Sequence, residues 1–136
     1  MKKTIVLILV VALTALALCS CGAKDSVPRE QIVGHYIHKY NDWEGFSIDL
    51  NADGTFSYYE AAFSSHIGMG NYTIDGDVIT LTDELPGVSG TITRNYRFKY
   101  ENDKLVFLAG QSGEFMYVDL PDGTVFERYE LSDFTE

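Results

Sequence analysis

This sequence predicts an all-β fold, a small antiparallel up-and-down barrel of about eight strands. Three observations point there. Apolar and polar residues alternate with a period of two, as in Phe46-Ser47-Ile48-Asp49-Leu50. Turn signatures punctuate the alternation at Asn51-Ala52-Asp53-Gly54, Asp75-Gly76-Asp77 and Pro121-Asp122-Gly123. Nine tyrosines, eight phenylalanines and one tryptophan follow the N-terminal leader, and aromatic side chains suit a pleated, half-buried surface. So many short strands in one small domain need a closed arrangement to hide their edges, with a two-sheet sandwich as the alternative.

The elements follow in chain order. Lys2 and Lys3 precede an apolar run from Ile5 to Leu18, broken only by Thr14. That run suits a signal-peptide core and is short for a spanning helix, which needs about 20 residues. Small and polar residues follow at once, without the basic cluster that would stop an uncleaved anchor. Leu18-Cys19-Ser20-Cys21 resembles the lipobox of bacterial lipoproteins, which implies cleavage after Ser20 and a covalent lipid on Cys21. Cys19 is the competing site, but Leu18 is bulky where a small residue is wanted. On this reading residues 1–20 are the leader and 21–31 a lipidated cysteine and tether. The barrel domain spans 32–131, and 132–136 is a frayed end. The mature chain then has no free thiol, which excludes thiol catalysis and a CxxC redox site.

A single helical turn is expected over Pro28 to Val33, with proline at its start. Strands are expected at Gly34 to Tyr40, Phe46 to Leu50, Phe56 to Glu60, Asn71 to Ile74 and Val78 to Thr82. Further strands are expected at Thr91 to Tyr100, the longest, and at Leu105 to Leu108, Phe115 to Leu120 and Val125 to Tyr129. Loops are expected over Ser64 to Gly68 and around Pro86-Gly87. A weak internal echo, Asn71-Tyr72-Thr73-Ile74 against Asn95-Tyr96-Arg97-Phe98, reads as repeated hairpin chemistry.

A wider pattern joins these elements. It runs Gly34-x-Tyr36, Phe46-x-Ile48-x-Leu50, Asp53-Gly54-Thr55-Phe56-Ser57 and Ser64-Ser65-x-Ile67-Gly68-x-Gly70-x-Tyr72. It continues with Tyr96-x-Phe98-Lys99, Leu105-Val106-Phe107 and Asp122-Gly123-Thr124-Val125-Phe126. This resembles a lipocalin-like module of small Firmicutes lipoproteins and of the C-terminal extension of antibiotic-sensor-type membrane metallopeptidases. The resemblance implies a barrel and brings no activity with it. The HExxH helix of those metallopeptidases is absent.

The formal net charge of −10 becomes more negative once Lys2 and Lys3 are removed. Such a domain is repelled by nucleic acid and by anionic head groups, so nucleic acid is excluded as a partner and the lipid must hold the chain to its membrane. Several constellations bear on chemistry. Asp49-x-Asn51-x-Asp53-Gly54 with Glu60 matches a calcium-loop spacing, but the flanks alternate as strands where that loop needs helices. Arg94 and Glu60 share parity with apolar neighbours. If those faces line the interior, Arg94 holds a ligand carboxylate or pairs with Glu60; otherwise it reaches water at a strand end. Arg128 shares parity with Phe126, and the resemblance to lipocalin-like barrels, in which a first-strand aromatic packs near a last-strand arginine, implies that it lies against Tyr36 as a cation–π seal. His35 and His38 fall on opposite strand faces and do not share a metal ion, and His66 reads as a surface residue. Ser64 and Ser65 read as loop formers, or as contributors to a ligand site.

The expected function is a non-catalytic binding or sensing module, lipid-anchored on the outer face of the cell membrane, or alternatively on an outer membrane. No cofactor is expected beyond the lipid on Cys21. The partner is a small ligand near Arg94, Glu60, Ser64 and Ser65 or, with a filled barrel, another envelope protein. An envelope hydrolase would need a base that meets Ser64 or Ser65.

Overall fold

Pro28 cannot donate a backbone hydrogen bond and opens a single helical turn, α1 (Arg29–Ile32), in a computed structural model that describes residues 25–40, 43–60 and 64–130. The leader, Cys21 and residues 131–136 lie outside the described residues. Eight strands follow: β1 (Gly34–Tyr40), β2 (Trp43–Leu50), β3 (Thr55–Tyr59), β4 (Ile67–Asp75), β5 (Val78–Gly87), β6 (Gly90–Glu101), β7 (Lys104–Phe107) and β8 (Val125–Tyr129). They close into one antiparallel barrel in sequence order, and β8 pairs back with β1.

Turn chemistry sets the register. Gly54 adopts φ +88°, and the Asp53 carboxylate accepts the Thr55 amide at 2.9 Å and its hydroxyl at 2.6 Å. Gly76 and Gly123 take positive φ in the same way, as Asp-Gly turns require. The β5–β6 hairpin is tighter than expected: Gly87 pairs with Gly90, so Pro86-Gly87 ends a strand and does not open a long loop. Proline is tolerated there because this part of the hairpin runs on past the closed barrel.

Inward positions of all eight strands make one core that includes Tyr36, Phe46, Ile48, Phe56, Tyr58, Ile79, Leu81, Tyr96, Phe98, Leu105 and Phe126. The rings contact one another edge-on and stacked, so the interior is filled by its own side chains. Burying each such ring contributes about 1.5–3 kcal/mol. Gly68 makes room for one of them: it pairs with Tyr58, and a Cβ there would lie 2.1 Å from the Tyr58 ring.

The barrel has two unlike ends. At the first, α1 closes the opening with Ile32, which is fully buried. Residues expected to be a free tether are pinned here, with the Val27 amide donating to Gly76 O at 2.8 Å and the Gly76 amide to Ser26 Oγ at 3.1 Å. At the opposite end, the expected strand at Phe115 to Leu120 is not a strand. β7 pairs directly with β8, which leaves this segment no ladder partner. Its buried residues, Phe115, Val118 and Leu120, do not alternate. It crosses the barrel mouth as a strap.

Candidate functional site at the strap-covered mouth

β3 delivers two inward polar groups to the mouth. The Tyr58 hydroxyl donates to Asp83 Oδ2 at 3.0 Å, and burial together with Tyr96 and Asp83 raises its pKa far above that of an ordinary tyrosine. Glu60 is 0 % exposed. Its Oε2 accepts the Tyr117 amide at 3.1 Å, which ties the strap to the barrel wall. Burial raises the Glu60 pKa, against the opposing effects of the Tyr117 hydrogen bond and the nearby His66 and Arg94.

β5 and β6 supply the facing wall. Asp83 is buried and stands opposite Arg94 in the ladder, with Tyr96 two residues further in. Tyr96 packs face to face on Phe115, with centroids 4.0 Å apart and planes 5° apart. Phe46 and Tyr58 meet the same Phe115 ring edge-on at 4.9 and 5.3 Å. The strap thus inserts one phenyl ring into an aromatic slot at the barrel mouth. A groove of about 410 Å³ runs along the strap, lined by Phe107, Ser112, Phe115, Tyr117 and Leu120 among others.

Four buried polar atoms around this slot make no well-formed hydrogen bond among the described residues: Glu60 Oε1, His66 Nε2, Arg94 Nη1 and Tyr96 OH. Tyr58 and Arg94 stand near enough to the Tyr96 hydroxyl, and the Met116 amide near enough to the Glu60 carboxyl, to act on them electrostatically. A buried donor or acceptor left unmade costs about 1–3 kcal/mol, so a cluster of four is costly. The Glu60–Arg94 ion pair, one of the alternatives for an inward Arg94, does not form among the described residues: Glu60 is turned to the strap and Arg94 stands opposite Asp83 in the ladder. Arg94 is partly buried and points inward, so its guanidinium does not lie wholly in water.

The other expected sites lie elsewhere. Asn51 and Asp53 sit in the β2–β3 turn, about 15 Å or more at strand rise from Glu60 at the far end of β3, and Asp49, paired with Ser57, is still about 10 Å from it. The calcium loop therefore does not assemble. Asp49 instead lies 2.6 Å from His35 Nδ1, and Asn51 and Asp53 bond Thr55 within the turn. No metal-holding group of three His, Cys, Asp or Glu side chains occurs among the described residues. Ser64 Oγ accepts the His66 amide at 2.8 Å, as a loop former does, and Ser65 is exposed. Among the described residues, neither serine hydroxyl bonds a histidine ring or a carboxylate. Tyr36 and Arg128 are brought together at the end closed by α1. Arg128 Cζ lies 5.2 Å from the Tyr36 ring centroid, Nη1 donates to Val33 O at 2.6 Å, and Nη2 donates to Tyr36 OH and Gln31 O.

No family model, curated protein or solved structure matches this chain. Among the described residues, no helix is long and apolar enough to cross a membrane.

Sequence reasoning missed Asp83, Tyr58, Tyr96 and Phe115 as parts of the mouth. Asp83 carried a readable signal: it continues the parity of Ile79 and Leu81, an acidic residue on an apolar face. Phe115 carried none, because its slot is formed by residues distant in the chain.

Proposed function

We propose that this chain is a membrane-anchored, extracytoplasmic, non-catalytic binding module whose binding end is the strap-covered mouth. The observation that carries the reading is the division of labour between the barrel's two ends. Ser26 and Val27, a few residues beyond Cys21, pack on the end closed by α1 and Arg128. Of the five buried polar side-chain atoms without a partner among the described residues, four collect at the other end, and the fifth, Arg128 Nε, belongs to a guanidinium whose two Nη atoms are bonded at the closed end. A lipid on Cys21 would hold the closed end towards the membrane and leave the mouth facing outwards. Two or three acyl chains suffice for stable anchoring without a basic patch.

A second reading, docking of another envelope protein, draws support from the filled interior and from apolar side chains around the same end. Tyr59, Ile67 and Met69 stand on the outer face of β3 and β4, with Ile67 53 % and Met69 63 % exposed. Val88 is fully exposed at the tip of the β5–β6 hairpin, and Met116 and Tyr117 are exposed on the strap. Amide chemical-shift mapping of labelled residues 22–136 against envelope extract from the host tests both. Perturbation at Glu60, Arg94, Tyr96 and the strap is the expected result for the mouth. Perturbation confined to Tyr59, Ile67 and Met69 would favour the docking reading. Perturbation confined to α1 and the turns beside it would overturn both.

A further inference from the structure

Phe115 and its slot are mismatched. The phenyl ring matches the slot in shape, since it stacks on Tyr96 and meets Phe46 and Tyr58 edge-on. It offers nothing to Glu60 Oε1, Arg94 Nη1, Tyr96 OH or His66 Nε2, which are buried at the same mouth without a well-formed hydrogen bond. These four groups include an obligate donor, a carboxyl oxygen that accepts when ionised, and two that can do either. We propose that the slot is a ligand site for a single planar ring with hydrogen-bonding groups on its edge, of the phenol, pyridone or pyrimidine class, and that the strap is a displaceable cover. The inference rests on the mouth being the binding end.

The strap is built to leave. It belongs to no strand, and β7 and β8 pair without it. Its polar ties to the barrel include the Gly113 amide on Asn95 O at 2.8 Å and the Tyr117 amide on Glu60 Oε2. Its exposed face carries Met116 and Tyr117, and the groove beside it leaves it incompletely packed. The connection from Phe107 to Val125 is long for an up-and-down barrel, and connections of that kind are commonly lids or binding loops. A ring with a polar edge would keep the stack on Tyr96 and satisfy the groups that Phe115 leaves unmade.

The test uses Phe115→Ala in residues 22–136, with p-cresol and p-xylene as probes of nearly equal shape. Hydrophobic transfer alone favours p-xylene. The proposal expects p-cresol to bind at least about tenfold more tightly, the worth of a hydrogen bond to a buried or charged group. It expects Tyr96→Phe together with Arg94→Met to remove that preference. Tighter binding of p-xylene, or a preference that survives the double substitution, would overturn it while leaving the mapping of the mouth untouched. If Phe115→Ala does not fold, hydrogen exchange in the unsubstituted chain decides. Saturating p-cresol should then speed exchange of the Tyr117 amide by about tenfold or more, as loss of a closed lid does. The Tyr72 amide, bonded to Gly54 O at the other end, should be unaffected. An unchanged Tyr117 amide would overturn the proposal.

Discussion

Glu60 combines complete burial with a carboxyl group that holds the strap through a main-chain amide. Burial raises its folded pKa above the unfolded value, so the folded state binds its proton more tightly. The contribution to stability is therefore greatest below the unfolded pKa. It declines as pH rises through the unfolded and then the folded value, because ionisation is then less favourable in the fold. Glu60→Gln keeps an acceptor for the Tyr117 amide and removes the charge. Its melting temperature should match the unsubstituted chain near pH 4 and exceed it at pH 7 by about 2–5 °C, the effect of roughly 1 kcal/mol in a domain of this size. Thermal unfolding across that range checks the sign; a lower melting temperature for the variant at pH 7 would show that the carboxylate is stabilising. Glu60 was legible in the sequence as a charge on an apolar face, and so was Arg94. Their partners were not legible, because strand parity says which face a residue takes and nothing about which neighbour the strap would claim.

At the scale of elements, strands and turns were the most readable part of the chain. Alternation and Asp-Gly chemistry are local, and each hairpin confirms its own register. The exception is Phe115 to Leu120, whose apolar content reads as a strand. Its fate depends on β7 reaching β8 directly, a long-range pairing that excludes it from the sheet. The barrel seam was legible from the resemblance to lipocalin-like barrels together with the parity of Arg128, and its energetics now follow from geometry. β1 and β8 share only a short ladder, His35↔Tyr129, Tyr36↔Arg128 and Ile37↔Glu127. Arg128 reinforces it by bonding Val33 O, Gln31 O and Tyr36 OH, beside an ion pair with Asp103 at 3.6 Å. Arg128→Met keeps much of the aliphatic packing and strands those acceptors. It should cost about 2–3 kcal/mol in denaturant unfolding, since each orphaned buried acceptor costs about 1–3 kcal/mol and some gain access to water. A cost below about 0.5 kcal/mol, the scale of ordinary surface substitutions, would mean that the seam stands without it.

At the scale of the whole molecule, the account assigns anchoring to one end of the barrel and recognition to the other. Acidic charge would keep the domain from lying flat on anionic lipid, so on the proposed function the lipid on Cys21 would govern its orientation. β5 runs from the closed end to the hairpin tip and is about 30 Å long at strand rise, or roughly 20–25 Å along the barrel axis at the usual strand tilt. That length is enough to separate the ends by depth. The most direct measurement places a fluorophore on a single introduced cysteine in the lipidated protein, using Ala52→Cys at the closed end or Val88→Cys at the mouth. Both positions are exposed, and with Cys21 lipidated each variant carries one free thiol. In vesicles containing head-group spin-labelled lipid, the account predicts strong quenching at residue 52 and little at residue 88. Equal quenching at the two positions, or the reverse order, would contradict it.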